Sequence, residues 1–467
     1  MKNNYYVSPI LEKIRNTSIS DDLHLAADFA EEYINSVDSM RVYPSDEDIN
    51  NLSVFSHPLP DDPTSIRGIL EKLHQFGSKA TVAQTGGRYF GFVCGGILPS
   101  SLCAKWLYDA WDQNPAMFVL SPIGATLEDV CEKWLRELLS LPMETVAGFV
   151  SGSSTAIICG FLAGRNYLLQ QQGYDVAAKG LNGAPKIKVV LSEGAHSTVF
   201  KALSIIGLGS ENITRVPMDA QGRISEDKLP LLDNSTLMIL QAGNVNSGAF
   251  DNFASICKKG KDAGAWIHVD GAFGLWAAAS SKSSHLTKGI ELADSWSVDG
   301  HKTLNTPYDN GIILCRHKHV LVNAMHMTGG YIQLTESNRD SMMFTMEMSR
   351  RTRAADLWAT LIGLGKTGIA ELVEELCAKA VYFADELKKI GFDIENEVVF
   401  NQVLASWKND ELTQRLIEKI QKSGVLWLGG SKWFGKAVMR ISVCSYKTTY
   451  EDINICISEI KRLTDEL

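Results

Sequence analysis

WIHVDGAFG at residues 266–274 and SWSVDGHKTLN at residues 295–305 decide how this chain is read. Each opens as a short apolar run of the kind that forms a buried strand, with Ile267, Val269 and Phe273 in the first and Trp296 and Val298 in the second. Each run then meets glycine and polar residues. The first delivers Asp270, the second His301 and Lys302. Open α/β proteins place their sites where buried strands deliver charged side chains at their ends. A carboxylate and an amine so delivered suit a cofactor that needs one proton held and one covalent bond made. Read without their surroundings, Asp270 and Lys302 fit an ordinary ion pair or two separate surface charges equally well.

The same layout recurs upstream. In GFVSGSSTAIICGFLAGRNYLL (148–169), Phe149 and Val150 lead into Ser151–Gly152–Ser153–Ser154–Thr155, and a helix is expected from about Ala156 to Leu169. A Ser/Gly turn that opens a buried helix offers free N–H groups and hydroxyls to a phosphate or carboxylate; a plain helix cap fits it too. The glycine pattern is not that of a dinucleotide site, and no GK[ST] follows, so an ATP loop is unsupported. KIKVVLSEGAHSTVFKALSIIG (186–207) predicts a strand at Val189–Leu191, then His196 in a loop, then a helix over Phe200–Ile206. Residues 237–274 predict a strand at Leu237–Leu240, a polar turn at Asn244–Gly248 and a helix near Phe253–Lys261 before the Asp270 strand. Gly311–Cys315 reads as one more strand. Strands alternating with helices mean βαβ units and a largely parallel sheet.

Further out the signals thin. Residues 1–75 form an arm with helical spacing at Leu23–Val37, too thin for a core of its own. It is expected to pack on the main body or on a second subunit. TVAQTGGRYFGFVCGGILPS (81–100) is glycine-rich, either a tight structural loop or a close approach to a ligand. Residues 76–365 are expected to form the large domain and 366–467 a small C-terminal α/β domain. In that small domain Arg440 sits within an apolar strand and needs a partner, either a ligand carboxylate or an internal acid.

Composition sets the bounds. The 467 residues are 45% hydrophobic and 21% charged, an ordinary globular balance, and the formal net charge of -9 argues against broad nucleic-acid or acidic-membrane binding. The nine cysteines show no CxxC pair and no zinc spacing, so no metal is expected and the thiols suit a reducing cytosol. No apolar run approaches the roughly 20 residues that span a bilayer, and MKNNYYVSPILEKI lacks the apolar stretch of a signal peptide. A cytoplasmic protein is expected.

A phosphate turn, a ring-sized His196, a strand-end Asp270 and a strand-end Lys302 together suit pyridoxal 5′-phosphate. The amine can form a Schiff base, and the carboxylate can keep the pyridine nitrogen protonated so that the ring accepts electrons. At this point the chain resembles the pyridoxal-phosphate-dependent group II amino-acid decarboxylases, the family of the aromatic-amino-acid, glutamate and cysteine-sulfinate enzymes. The motifs are GRYFGFVCGG (87–96), VSGSSTA (150–156), AHSTV (195–199), GNVNSGAFD (243–251), WIHVDGAFG (266–274), VDGHKTLNTPYDNG (298–311) and SRRTRAADLW (349–358), in the family's order over roughly residues 50–460.

The resemblance implies an α/β fold of the aspartate-aminotransferase type, a dimer with sites at the subunit interface, and decarboxylation of an L-amino acid to its amine and CO2. It implies Lys302 as the Schiff-base lysine, Asp270 on the ring nitrogen, His196 stacked over the ring and Ala272 beneath it. Ser153 and Ser154 would lie at the phosphate, with His301 a further phosphate or ring contact and Asn244 and Asn246 near the ring. Arg440 and Phe90 would meet the substrate. Arg88, His326 and Arg440 would favour an acidic side chain, and Phe90, Phe92 and Trp111 an aromatic one. An aldehyde-lyase or aldolase on the same scaffold, or a non-catalytic binder of the cofactor, are the alternatives. The chain departs from the family pattern at Ser153–Ser154–Thr155, at Thr303 where Trp is usual, and after Tyr331, where no second Tyr precedes Arg350 to act as proton donor.

Overall fold

A computed structural model describes residues 8–325 and 338–467. Two sheets organise them. In chain order the strands are β1 Tyr89–Phe90, β2 Val146–Val150, β3 Lys188–Ser192, β4 Ile213–Val216, β5 Thr236–Gln241, β6 Trp266–Asp270, β7 Ser295–Asp299, β8 Gly311–Cys315, β9 Asp393–Ile394, β10 Gln402–Ser406, β11 Trp427–Trp433 and β12 Lys436–Ser442. The large sheet runs β2-β8-β7-β6-β5-β3-β4. Only β8 is antiparallel to its neighbours, and every other pairing in this sheet is parallel.

The sequence explains why this sheet is central. Every residue of β2, β5, β6, β7 and β8 is buried, as a strand covered on both faces by helices must be. One face packs against the helices Pro122–Leu138 and Phe253–Asp262 and the start of Arg353–Lys389, with Phe149, Trp276 and Trp296 in the core. The other packs against Ser153–Gln171 and Ser197–Ile205, with Ile157, Phe161 and Trp266. The expected helices and strands of this region appear within a few residues of their predicted ends.

The small sheet, β1-β11-β12-β10-β9, has its own core around Phe383, Leu416, Ile420 and Ile457. Two details bear on the expected division of the chain at 365/366. The long helix Arg353–Lys389 is interrupted at Gly365, whose φ of 62° is a left-handed conformation that glycine adopts without a Cβ clash. In addition β1, far upstream, pairs in parallel with β11 through Tyr89↔Trp427 and Phe90↔Leu428, so the glycine-rich segment stitches the small sheet to the large body.

The arm is thin in the structure as in the sequence. Its helices Pro9–Arg15, Ser20–Ser36, Asp46–Asn51 and Ile66–Lys72 contain no buried residue. Leu23, Ile34, Ile69 and Leu73 are exposed there. No described helix is long and apolar enough to cross a membrane.

Candidate active site

Strand register assembles the site. Val150 of β2 and Asp299 of β7 both pair with Gly311 of β8. The turn after β2 and the turn after β7 therefore leave the sheet side by side, separated by one residue without a side chain. A Cβ at Gly311 would lie 2.3 Å from the Cα of Gly152, so only glycine permits that approach. One strand further on, Gln241, Asp270 and Ser297 form a row across β5, β6 and β7. Both groups open on one cavity of about 430 Å3, whose walls include Ser153, His196, Gln241, Asp270, Lys302 and Arg440. That volume is in the range of small-molecule sites.

Asp270 is buried at the end of β6. Its Oδ1 accepts the N–H of Ala272 at 3.2 Å and lies 3.5 Å from the Ser297 hydroxyl. Burial raises its carboxyl above the usual range, while Lys302 and His196 pull the other way. His196 caps the helix Ser197–Ile205: its Nδ1 accepts the Thr198 N–H at 3.3 Å and meets Thr198 Oγ1 at 2.7 Å. The cap fixes the plane of the ring at the cavity wall. Burial lowers its pKa, against the opposing field of Asp270.

Lys302 pairs with Asp299, Nζ to Oδ2, at 3.0 Å. Burial disfavours the charged amine, but the charge and hydrogen bond of Asp299, with Asp270 behind them, outweigh it and hold the ammonium above the ordinary lysine range. Asp299 also accepts the Ser153 backbone N–H at 2.5 Å and the Ser153 hydroxyl at 2.8 Å. Gly95 packs on the Lys302 carbonyl so closely that a Cβ would lie 2.2 Å from it. The glycine-rich segment is thus pressed against the lysine turn, and Phe92 and Val93 beside it line the cavity.

A ring of charge supports that turn from behind. Asp309 meets Arg351 Nε at 3.0 Å and Arg353 Nη2 at 3.1 Å. Asn310 donates its N–H to His301 Nδ1 at 3.0 Å and its amide to the Arg353 carbonyl at 2.8 Å. The SRRTR motif therefore braces the YDNG segment, which braces His301.

Several expected contacts fall elsewhere. Phe90 is fully buried and packs edge-on against Phe383 in the small-domain core, because β1 belongs to that sheet; it does not reach the cavity, and Phe92 does. His301 stacks on Tyr308 at 4.3 Å, and its Nε2 lies 3.7 Å from Asp299 instead of on the cavity wall. Asn244 spends its Oδ1 on the N–H groups of Asn246 and Ser247. Asn246 accepts the Ser431 hydroxyl. These two shape the turn whose Gly243 and Val245 line the cavity. Ser154 is exposed in the first turn of its helix. Arg88 donates to the Asp38 carbonyl and Trp111 packs on Tyr108, both away from the cavity. His326 and Tyr331 lie outside the described residues.

Arg440 does line the cavity. Its Nη1 is 3.4 Å from the Val245 carbonyl, burial lowers its pKa, and no carboxylate pairs with it among the described residues.

Two residues were not singled out in the sequence. Asp299 was readable as the acid of VDGHK, three residues before the lysine. Gln241 had no such signal. It is 4% exposed, and its Nε2 has no acceptor among the described residues. A buried amide donor on a cavity wall costs on the order of 1–3 kcal/mol unless something accepts from it. An acceptor-rich ring with a phosphate would satisfy that donor and the helix N-terminus at Ser153, and the residues present fit pyridoxal phosphate.

Comparison with known proteins points the same way. Residues 51–407 match the pyridoxal-dependent decarboxylase conserved domain. An aromatic-L-amino-acid decarboxylase of Bacillus atrophaeus is 27% identical over 406 residues, covering 81% of each chain. The acidic amino acid decarboxylase GADL1 of Mus musculus is 26% identical over 412 residues, covering 80% of this chain and 73% of its own. Among solved structures, Oryza sativa TDC with PLP and tryptamine superposes with a TM-score of 0.89 at 21% identity over 99% of both chains.

Proposed function

Given that this chain belongs to the pyridoxal-dependent decarboxylases and is a PLP-dependent amino-acid decarboxylase, we propose how its own residues divide the work. When bound, pyridoxal phosphate supplies an electron sink for the bond broken at the amino acid's Cα. Lys302 would be the residue that holds the cofactor and yields its place to the substrate amine. Asp270 would keep a proton on the ring nitrogen: one of its oxygens is engaged by Ala272, which leaves the other free for a ring. A carboxylate raised by burial and short of a cation is stabilised by a protonated pyridine.

His196, its plane fixed by the Thr198 cap, would cover one ring face, and Ala272 would leave room at the other. The N–H groups of the first turn at Ser153 and Ser154 attract the phosphate. Arg440 meets a carboxylate of the substrate, and Phe92 contributes apolar wall. The observation that carries this reading is the convergence of Ser153, His196, Asp270, Lys302 and Arg440 on one cavity.

The second copy expected of the family would cover the exposed apolar side chains of the arm. An apolar cleft of about 710 Å3 lies there, lined by Phe29, Tyr33, Leu70, Leu73 and Trp106 among others. Such a surface is unusual on a monomer and supports a homodimer, which light scattering would test. A cytoplasmic location is consistent with nine free thiols, six of them buried. The activity test is product analysis on a panel of acidic and aromatic L-amino acids. CO2 with the matching amine supports the reading. Trapping of the cofactor on a residue other than Lys302 defeats the assignment.

A further inference from the structure

Asp299 touches two groups that the proposed cofactor also engages. One of its oxygens takes the Ser153 N–H at 2.5 Å; the other takes the Ser153 hydroxyl at 2.8 Å and the Lys302 amine at 3.0 Å. The residue is 1% exposed. Its fourth neighbour is His301 Nε2 at 3.7 Å. With His301 Nδ1 accepting from the Asn310 N–H, a neutral ring carries its proton on Nε2, facing Asp299. Among the described residues, the four polar groups that face this carboxylate are therefore all donors, and the register Val150–Gly311–Asp299 fixes it between them.

We propose that Asp299 is a positioning residue that ties the unlinked Lys302 ammonium to the Ser153 turn, so that covalent capture of the cofactor requires this bridge to be broken. The inference rests on the assignment of Lys302 above. Capture joins the amine nitrogen to the aldehyde carbon and expels the carbonyl oxygen. Of the three ammonium protons, one stays on the linked nitrogen and two leave with the oxygen as water. The first must depart before the lone pair is free, and Asp299 opposes that departure by stabilising the charged amine. The incoming phosphate meanwhile competes with the same carboxylate for the Ser153 donors.

The test uses the full-length protein stripped of cofactor and mixed with pyridoxal 5′-phosphate across a pH series. Capture is read by near-visible absorbance, and the linked residue by borohydride reduction and peptide mass. The capture rate of the native chain should climb with pH. In Asp299→Asn, which keeps the shape and removes the charge, the profile should move at least one pH unit lower, with capture about tenfold faster at neutral pH. An unchanged profile, or slower capture at every pH, overturns the proposal.

A second measurement needs no variant. Acylation of Lys302 in the stripped native protein should show a midpoint above that of the exposed lysines. A midpoint below theirs also overturns it. If reduction places the cofactor on another residue, the assignment of Lys302 fails instead, and the two failures are told apart by the mass of the labelled peptide.

Discussion

Two buried charge clusters in this protein have opposite designs. Behind the sheet, Glu128 and Glu132 of the helix Pro122–Leu138 meet Arg339 and Arg350, with contacts of 3.2 Å for Glu128–Arg339, 2.8 Å for Glu132–Arg339 and 2.6 Å for Glu128–Arg350. Arg339 also donates to the Ala147 carbonyl. With Asp129 at 3.8 Å from Arg339, three acids face two bases, Ala147 anchors them to β2, and the charges are met by one another. At the ends of the strands, Asp270, His196, Lys302 and Arg440 line a cavity with Asp299 behind Lys302, and the cluster stays open: Arg440 lacks a carboxylate, and Gln241 lacks an acceptor among the described residues. Burial costs both clusters dearly. The closed one offsets that cost internally and holds residues 338–350 to the sheet, whereas the open one leaves part of it to be offset by a ligand.

The comparison can be broken most severely at Lys302. Lys302→Ala should lower kcat/KM on the order of 10^3-fold or more by removing the nucleophile, and should also lower the melting temperature because buried Asp299 loses its cation; steady-state kinetics and calorimetry on one sample separate the two. Asp270→Asn should lower kcat roughly 10^2- to 10^3-fold, as loss of one preorganised charge does elsewhere.

The same change carries a stability signature of opposite sign. The folded-state pKa of Asp270 is raised by burial, so the native form binds a proton more readily than the unfolded chain. Its contribution to stability therefore falls as pH rises above about 3.9, the unfolded value. Asp270→Asn removes that loss, and the stripped variant should melt higher than the stripped native protein at neutral pH. A lower melting temperature would mean that Asp270 belongs with the closed cluster.

The closed cluster should show the reverse pattern. Arg339→Met leaves buried Glu132 without its cation and Glu128 with Arg350 alone, and should cost about 3–5 kcal/mol of stability, with the cofactor absorbance of the surviving folded protein unchanged. Arg440→Met should raise KM roughly 10- to 100-fold, about the worth of one or two hydrogen bonds to a charge, with a smaller effect on kcat. Ser153→Ala is the mildest: it deletes one of the donors to Asp299 but keeps the backbone N–H, and should cost about 1 kcal/mol in melting experiments.

The sequence by itself determined the alternation of strands and helices, the large sheet, and the placement of Asp270, His196 and Lys302 at element ends. Those follow from local hydrophobic period and from residues that interrupt it, and such patterns survive in one dimension. The tertiary structure decided which strand ends are neighbours. Inserting antiparallel β8 between β2 and β7 puts Gly152 against Gly311 and brings Ser153 to Asp299, across 146 residues of chain. The same step moved Phe90 into a core and Phe92 onto the cavity, because a two-residue strand at 89–90 pairs with a partner more than 300 residues away. It also left Gln241 without an acceptor. Pairing partners and unmet hydrogen bonds depend on what lies across a gap, and a linear pattern carries no record of that.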